Sequence, residues 1–109
     1  MNESGQDADV LTAGADRLTR NSLFVVERRL PKINDRQLIV LQAALTSAVS
    51  RFSARDAGVR LVGSIFLARQ GRLLSLFTAE SLDTVRAVNE ASLVPFASIE
   101  PAVELPGSG

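Results

Sequence analysis

Apolar and polar positions along the chain fall into runs that read, in order, strand, helix, strand, strand, helix, strand. From Ser22 to Leu30 the run Leu-Phe-Val-Val-Glu-Arg-Arg-Leu is β-branched and aromatic, and Pro31 ends it because proline has no N–H to offer a ladder. Alternation puts Phe24, Val26, Arg28 and Leu30 on one face and Leu23, Val25, Glu27 and Arg29 on the other. Leu38, Leu41, Leu45, Ala48, Val49 and Phe52 then recur at helical spacing, which predicts a helix from Asp35 to Ala54 with one apolar stripe. Asn34, with Gln37 three residues on, has the form of a capping box, and Gly58 supplies the break that follows.

The stretch from Val59 to Thr78 is the centre of the pattern. Two β-rich runs flank Arg69-Gln70-Gly71-Arg72, where a glycine can take the positive φ that a tight reversal requires, so the segment predicts a hairpin. Leu61, Gly63, Ile65 and Leu67 share one face of its first strand, and Arg60, Val62, Ser64 and Phe66 share the other. Ser81 caps a second predicted helix, Leu82 to Ala91, whose buried side carries Leu82, Val85 and Val88. Pro95 stops that helix from continuing, and Ile99 and Val103 alternate in a short last strand where Pro101 argues for a sheet edge or a bulge.

This order is the split β-α-β, or ferredoxin-like, arrangement: an α+β fold with a four-stranded antiparallel sheet and two helices on one face. The expected organisation is a flexible tail over residues 1–20, a domain over 21–105 and a loose end over 106–109. A sheet with one wet face shows a clean polar alternation, whereas both faces of this hairpin are apolar. The second face is therefore expected to be covered, and the expected cover in so short a chain is a second copy, giving a homodimer.

Composition narrows the chemistry. The chain has 109 residues, 46% of them hydrophobic and 22% charged, with twelve basic and twelve acidic side chains. Zero formal charge supplies no general attraction to nucleic acid or to an anionic membrane. Histidine and cysteine are missing, which removes the imidazole base, the thiolate nucleophile, disulfides and the usual borderline metal ligands. The polar start Met-Asn-Glu-Ser-Gly-Gln-Asp has no apolar run of the secretory kind, and no run reaches membrane-spanning length, so the expected location is the cytoplasm.

The candidate ligand-binding residues are Glu27 and Arg29, two apart on the strand face expected to lie away from the helices, with Arg60, Ser64, Ser75 and Phe77 expected near them. A carboxylate, guanidiniums and hydroxyls on a semi-apolar face could orient a small polar ligand. Glu27 with Arg29 is equally the pattern of a cross-strand ion pair. Glu27 is also the candidate general base, since burial beneath a partner would raise its pKa toward neutrality. The arginines of the hairpin tip, Arg69 and Arg72, could contact phosphate, although two arginines on a turn are more often simply solvated.

Taken together, Val26-Glu27-Arg28-Arg29-Leu30-Pro31, Gly58-Val59-Arg60 leading to Ser64, Leu76-Phe77-Thr78-Ala79, and Val85-Arg86 with Asn89-Glu90 before Pro95-Phe96 resemble a small bacterial ferredoxin-fold family known as nickel-binding-protein-like, over residues 22–104. The resemblance implies a dimeric α+β arrangement, with nickel bound in one branch. The cysteine that the family often carries just before the position of Leu76, and its histidines, have no counterpart here, and carboxylates with water suit magnesium, calcium or manganese better. No metal ligand and no cofactor is therefore assigned. The function expected from the sequence is a noncatalytic small-ligand-binding or protein-interaction module acting as a homodimer. The alternatives are a small cofactor-independent isomerase or oxygenase with Glu27 as base, and a metal-binding protein like those of the resembled family.

Overall fold

The computed structural model describes residues 22–55 and 58–108, so the tail expected over residues 1–20 lies outside the described residues. Six elements follow one another as β1 (Ser22–Arg29), α1 (Asp35–Ser53), β2 (Arg60–Leu67), β3 (Arg72–Ala79), α2 (Leu82–Ala91) and β4 (Ser98–Ala102). All neighbouring strands are antiparallel, in the order β2-β3-β1-β4, with both helices packed against the sheet. This is the ferredoxin-like β-α-β-β-α-β fold.

Local chemistry sets the element ends. Asn34 Oδ1 accepts from the Gln37 N–H at 2.8 Å while the Asn34 N–H donates to Gln37 Oε1 at 3.1 Å, so the expected capping box is complete. At α2 the Thr84 N–H donates to Ser81 Oγ at 3.2 Å. Gly71 closes the hairpin at φ +64°, and a Cβ placed there would lie 2.5 Å from the Cα of Pro31, so β1 and β3 end in direct backbone contact. The Leu30 N–H to Gly71 O bond, 2.6 Å long, fixes that contact.

The core lies between the helices and one face of the sheet. Phe24 and Val26 of β1, Phe77 and Ala79 of β3, Ala48 of α1, and Val85 and Val88 of α2 form its main cluster, and Leu41, Leu45 and Leu73 form a second. Removing a buried side chain such as Leu45 would cost about 2–5 kcal/mol, because the transfer energy is lost and a cavity remains.

Arg28 shares the core face of β1 with Phe24 and Val26 and is 1% exposed. Its Nη2 donates to Asn89 Oδ1 at 2.9 Å and to the Val94 carbonyl at 3.0 Å, and its guanidinium lies 5.7 Å from the centre of the Phe96 ring. Nε and Nη1 are buried with no hydrogen-bond partner among the described residues. No carboxylate pairs with Arg28 there, and burial pushes its pKa down to about 10. The last turn of α2 has no basic residue of its own, so Arg28 brings a positive charge from the sheet to the negative end of that helix. It also holds the loop in which Leu93 adopts φ +63°, an uncommon conformation for a leucine.

The expected faces of β2 need one correction. A bulge between Leu61 and Gly63 leaves Val62 as the extra residue, so Leu61 turns to the core, where it packs against both clusters, while Gly63, Ile65 and Leu67 stay on the opposite face. A single inserted residue reverses the parity of everything before it.

Candidate functional site

The sheet face away from the helices has a charged end and an apolar middle. Direct cross-strand partners share a face. Glu27 is opposite Leu74, and Arg29 is opposite Arg72, so all four residues point away from the core. Glu27 receives Arg72 Nε at 2.9 Å on Oε2 and Arg72 Nη2 at 3.2 Å on Oε1, a bidentate pair. Arg29 Nε approaches the same Oε2 at 3.4 Å, and Arg72 Nη1 donates to Gln70 Oε1 at 2.9 Å. These side chains, with Pro31 and Gly71, line an open cleft of about 550 Å³.

Exposure separates the roles within the cluster. The Glu27 side chain is 15% exposed, that of Arg72 38% and that of Arg29 75%. Arg72 is committed to Glu27 and Gln70, whereas most of the Arg29 fork faces the cleft. The hydrogen bond from Arg72 is the largest influence on Glu27 and lowers its pKa, burial opposing it; the same bond raises that of Arg72. Within one chain, therefore, Glu27 is held as a carboxylate rather than moved toward neutrality. An anion held this firmly is a poor proton acceptor at neutral pH.

Only part of the residue set expected from the sequence meets here. Glu27 and Arg29 do, joined by Arg72 and Gln70. Ser64, Ser75 and Phe77 are on the core side: Phe77 and Ser75 are fully buried, Phe77 opposite Phe24 and Ser75 opposite Val26. Ser64 Oγ contacts Ser75 Oγ at 2.8 Å and donates to Gln42 Oε1 of α1 at 2.9 Å, so the two hydroxyls tie β2 and β3 to the helix. Arg60 is opposite Thr78, which is opposite Leu23. That rung is four residues from Glu27, about 13 Å along the strand at ~3.3 Å per residue. The signal for Arg72 was its place at the foot of β3, which the register of the hairpin's return strand brings level with Arg29.

Past the charged end, the face carries Leu23 and Val25 of β1, Leu74 and Leu76 of β3, and Ile65 and Leu67 of β2. All except Ile65 are half-buried, and Ile65 is 55% exposed. No helix of the chain packs on this side among the described residues.

A nickel centre of the kind implied by the resembled family does not fit these residues. The sequence has no histidine or cysteine, and no three carboxylates are grouped to hold a metal ion among the described residues. None of the described helices is long and apolar enough to cross a membrane.

Fold and face together define a ferredoxin-like α+β domain with one apolar sheet face on which no described helix packs. Among solved structures, the chain is similar to the crystal structure of SCO4226 from Streptomyces coelicolor A3(2), with a TM-score of 0.60 and 20% identity over 81% of this chain and 100% of that one. At that identity the likeness shows the fold alone. No family model matches the chain, and no curated protein matches it.

Proposed function

We propose that this protein is a noncatalytic binding module that works as a homodimer through its open sheet face, with the cleft at Glu27, Arg29 and Arg72 as the site for a small polar ligand. The observation that carries this reading is the apolar middle of the face, Leu23, Val25, Ile65, Leu67, Leu74 and Leu76, on the side that a lone antiparallel sheet would give to water. Three strands of eight residues and one of five, at about 3.3 Å per residue and about 4.8 Å apart, give a face of roughly 450 Å² in projection. With side-chain relief, that approaches the ~800 Å² per partner of a stable interface.

The charged end indicates the class of ligand. One carboxylate against two guanidiniums leaves the cleft cationic, and the exposed fork of Arg29 suits a planar anion such as a small carboxylate. Glu27 then serves to hold Arg72 still rather than to accept a proton.

Native mass spectrometry of protein purified without added ligand tests the reading. A dimer, with or without an additional organic mass, is expected. A monomer at micromolar concentration would refute it.

A further inference from the structure

The Glu27–Arg72 ion pair is a wall common to two cavities. Toward the hairpin tip is the cleft of about 550 Å³ that Arg29 and Gln70 flank. Toward β4 is a second cavity of about 300 Å³, lined by Val25, Leu74, Ser98 and Glu100 together with the pair itself. Sharing that wall, the two form one slot that crosses the open face from β1 to β4.

Register fixes the ends of the slot. Ser98 is opposite Glu27 and Glu100 is opposite Val25, so both share the open face with the charged cluster. Arg29 and Glu100 are then four residues apart along the strands and one strand apart across them, about 14 Å between Cα atoms at ~3.3 Å per residue and ~4.8 Å per strand. Both side chains are exposed and long enough to shorten that gap from either end. Val25 and Leu74 supply apolar flanks along the way, and Ser98 a hydroxyl.

The charges left available differ at the two ends. Glu27 and Arg72 satisfy each other through a bidentate pair. Arg29 reaches only an oxygen that Arg72 already occupies, at 3.4 Å, and Glu100 makes no ion pair among the described residues. A guanidinium therefore stands at one end and a carboxylate at the other, and the four charges of the slot sum to zero. A ligand with a carboxylate alone would use the Arg29 end and lay an apolar tail beside Glu100. A ligand that also carries an ammonium group pairs both ends and leaves the slot neutral.

We propose that the slot takes a zwitterion whose carboxylate and ammonium are separated by an apolar chain, an ω-amino carboxylate, with its carboxylate on Arg29 and its ammonium on Glu100. This assignment rests on the small-polar-ligand reading of the cleft above and adds to it a second charge and a direction across the sheet.

Isothermal titration of the full chain with 6-aminohexanoate and 8-aminooctanoate, each against hexanoate or octanoate, reads the two ends separately. The better zwitterion should bind at least about threefold more tightly than its plain carboxylate, the gain of one added exposed ion pair. Glu100→Gln should bring the zwitterion down to the affinity of the plain carboxylate, and Glu100→Lys should turn the preference to hexanedioate or octanedioate. Arg29→Gln should weaken every carboxylate, with circular dichroism showing that each variant is folded. Zwitterions that bind no better than plain carboxylates, all of them weakened by Arg29→Gln, would overturn the two-ended slot and leave the carboxylate site standing. An advantage that survives Glu100→Gln would overturn the slot as well. Binding of none of these carboxylates would overturn both readings.

Discussion

Arg28 of β1 and Asn89 of α2 meet inside the core, Nη2 to Oδ1 at 2.9 Å, across 61 residues of chain. Asn89 Nδ2 in turn donates to the Val85 carbonyl at 2.8 Å, so the amide is used on both sides. A buried guanidinium without a carboxylate is an expensive component, and its retention here is explained by what it fixes: the end of α2, the Val94 carbonyl and the Phe96 ring.

Arg28→Ala should therefore lower stability by about 3 kcal/mol or more, since it leaves Asn89 Oδ1 and the Val94 carbonyl unpaired beside a cavity. Arg28→Met fills more of the space and removes the unpaired charge, so its loss should be smaller, about 1–3 kcal/mol. Thermal melts followed by circular dichroism check this, at roughly 4–8 °C per kcal/mol for a domain of this size. Wild-type melting of both variants would show the network to be dispensable. The depressed pKa of Arg28 means that the unfolded chain holds this proton more tightly, so its contribution to stability would rise only between about pH 10 and the usual arginine range.

Glu27 should give the fold an acid-sensitive component. Its pKa is lowered in the folded state by Arg72, so the stabilisation is present above the ordinary carboxylate pKa and is lost as pH falls through the folded value. Wild type should exceed Glu27→Gln in stability at pH 7, and the difference should shrink steadily below about pH 4.5. Urea titrations at several pH values measure it; a difference that does not change with pH would contradict the Arg72 pairing.

Gly58 and Gly71, the positive-φ glycines among the described residues, should respond unequally to alanine. Gly58, at φ +67°, has open space around it, so Gly58→Ala should cost about 1–2 kcal/mol from the backbone conformation alone. Gly71→Ala adds a clash with the Pro31 backbone and should cost clearly more, about 3 kcal/mol or above. Chemical denaturation of the pair decides it: equal losses would mean that β1 and β3 do not approach so closely.

A charge in the middle of the open face should separate the proposed dimer without unfolding the chain. Leu76→Arg places a cation among Val25, Leu74 and Ile65, outside the core. The expected result on sedimentation is a folded monomer at a concentration where wild type is dimeric. A dimeric Leu76→Arg protein would locate the interface elsewhere.

The order of the elements was legible because its signals are local. Asn34 with Gln37, Ser81, Gly58, Gly71 and Pro31 each act within a few residues, and each marks the boundary that its chemistry predicts. The composition of the site was less legible, because it depends on which strand faces agree. Apolar residues on both faces of the hairpin leave no parity to choose by, so alternation alone does not separate Ser75 and Phe77 from Glu27, whereas the register places them opposite Val26 and Phe24. The bulge at Val62 has no signature beyond the neighbouring Gly63. The alternation that puts Phe24, Val26 and Arg28 on one face already implied a buried arginine, but its partners Asn89, Val94 and Phe96 are joined to it only by the finished fold.

The strand order also governs how the chain is made. β1 is an interior strand of the sheet and the first of the four to be synthesised, yet its partners are β3 and β4. At about 5–20 residues per second, β1 waits several seconds for Arg72–Ala79 and longer for Ser98–Ala102, whereas β2 and β3 can close their hairpin as soon as the turn at Gly71 has emerged. The earliest strand is therefore completed last, and Leu23–Val26 is the stretch that a growing chain must keep from sticking to its neighbours on the ribosome.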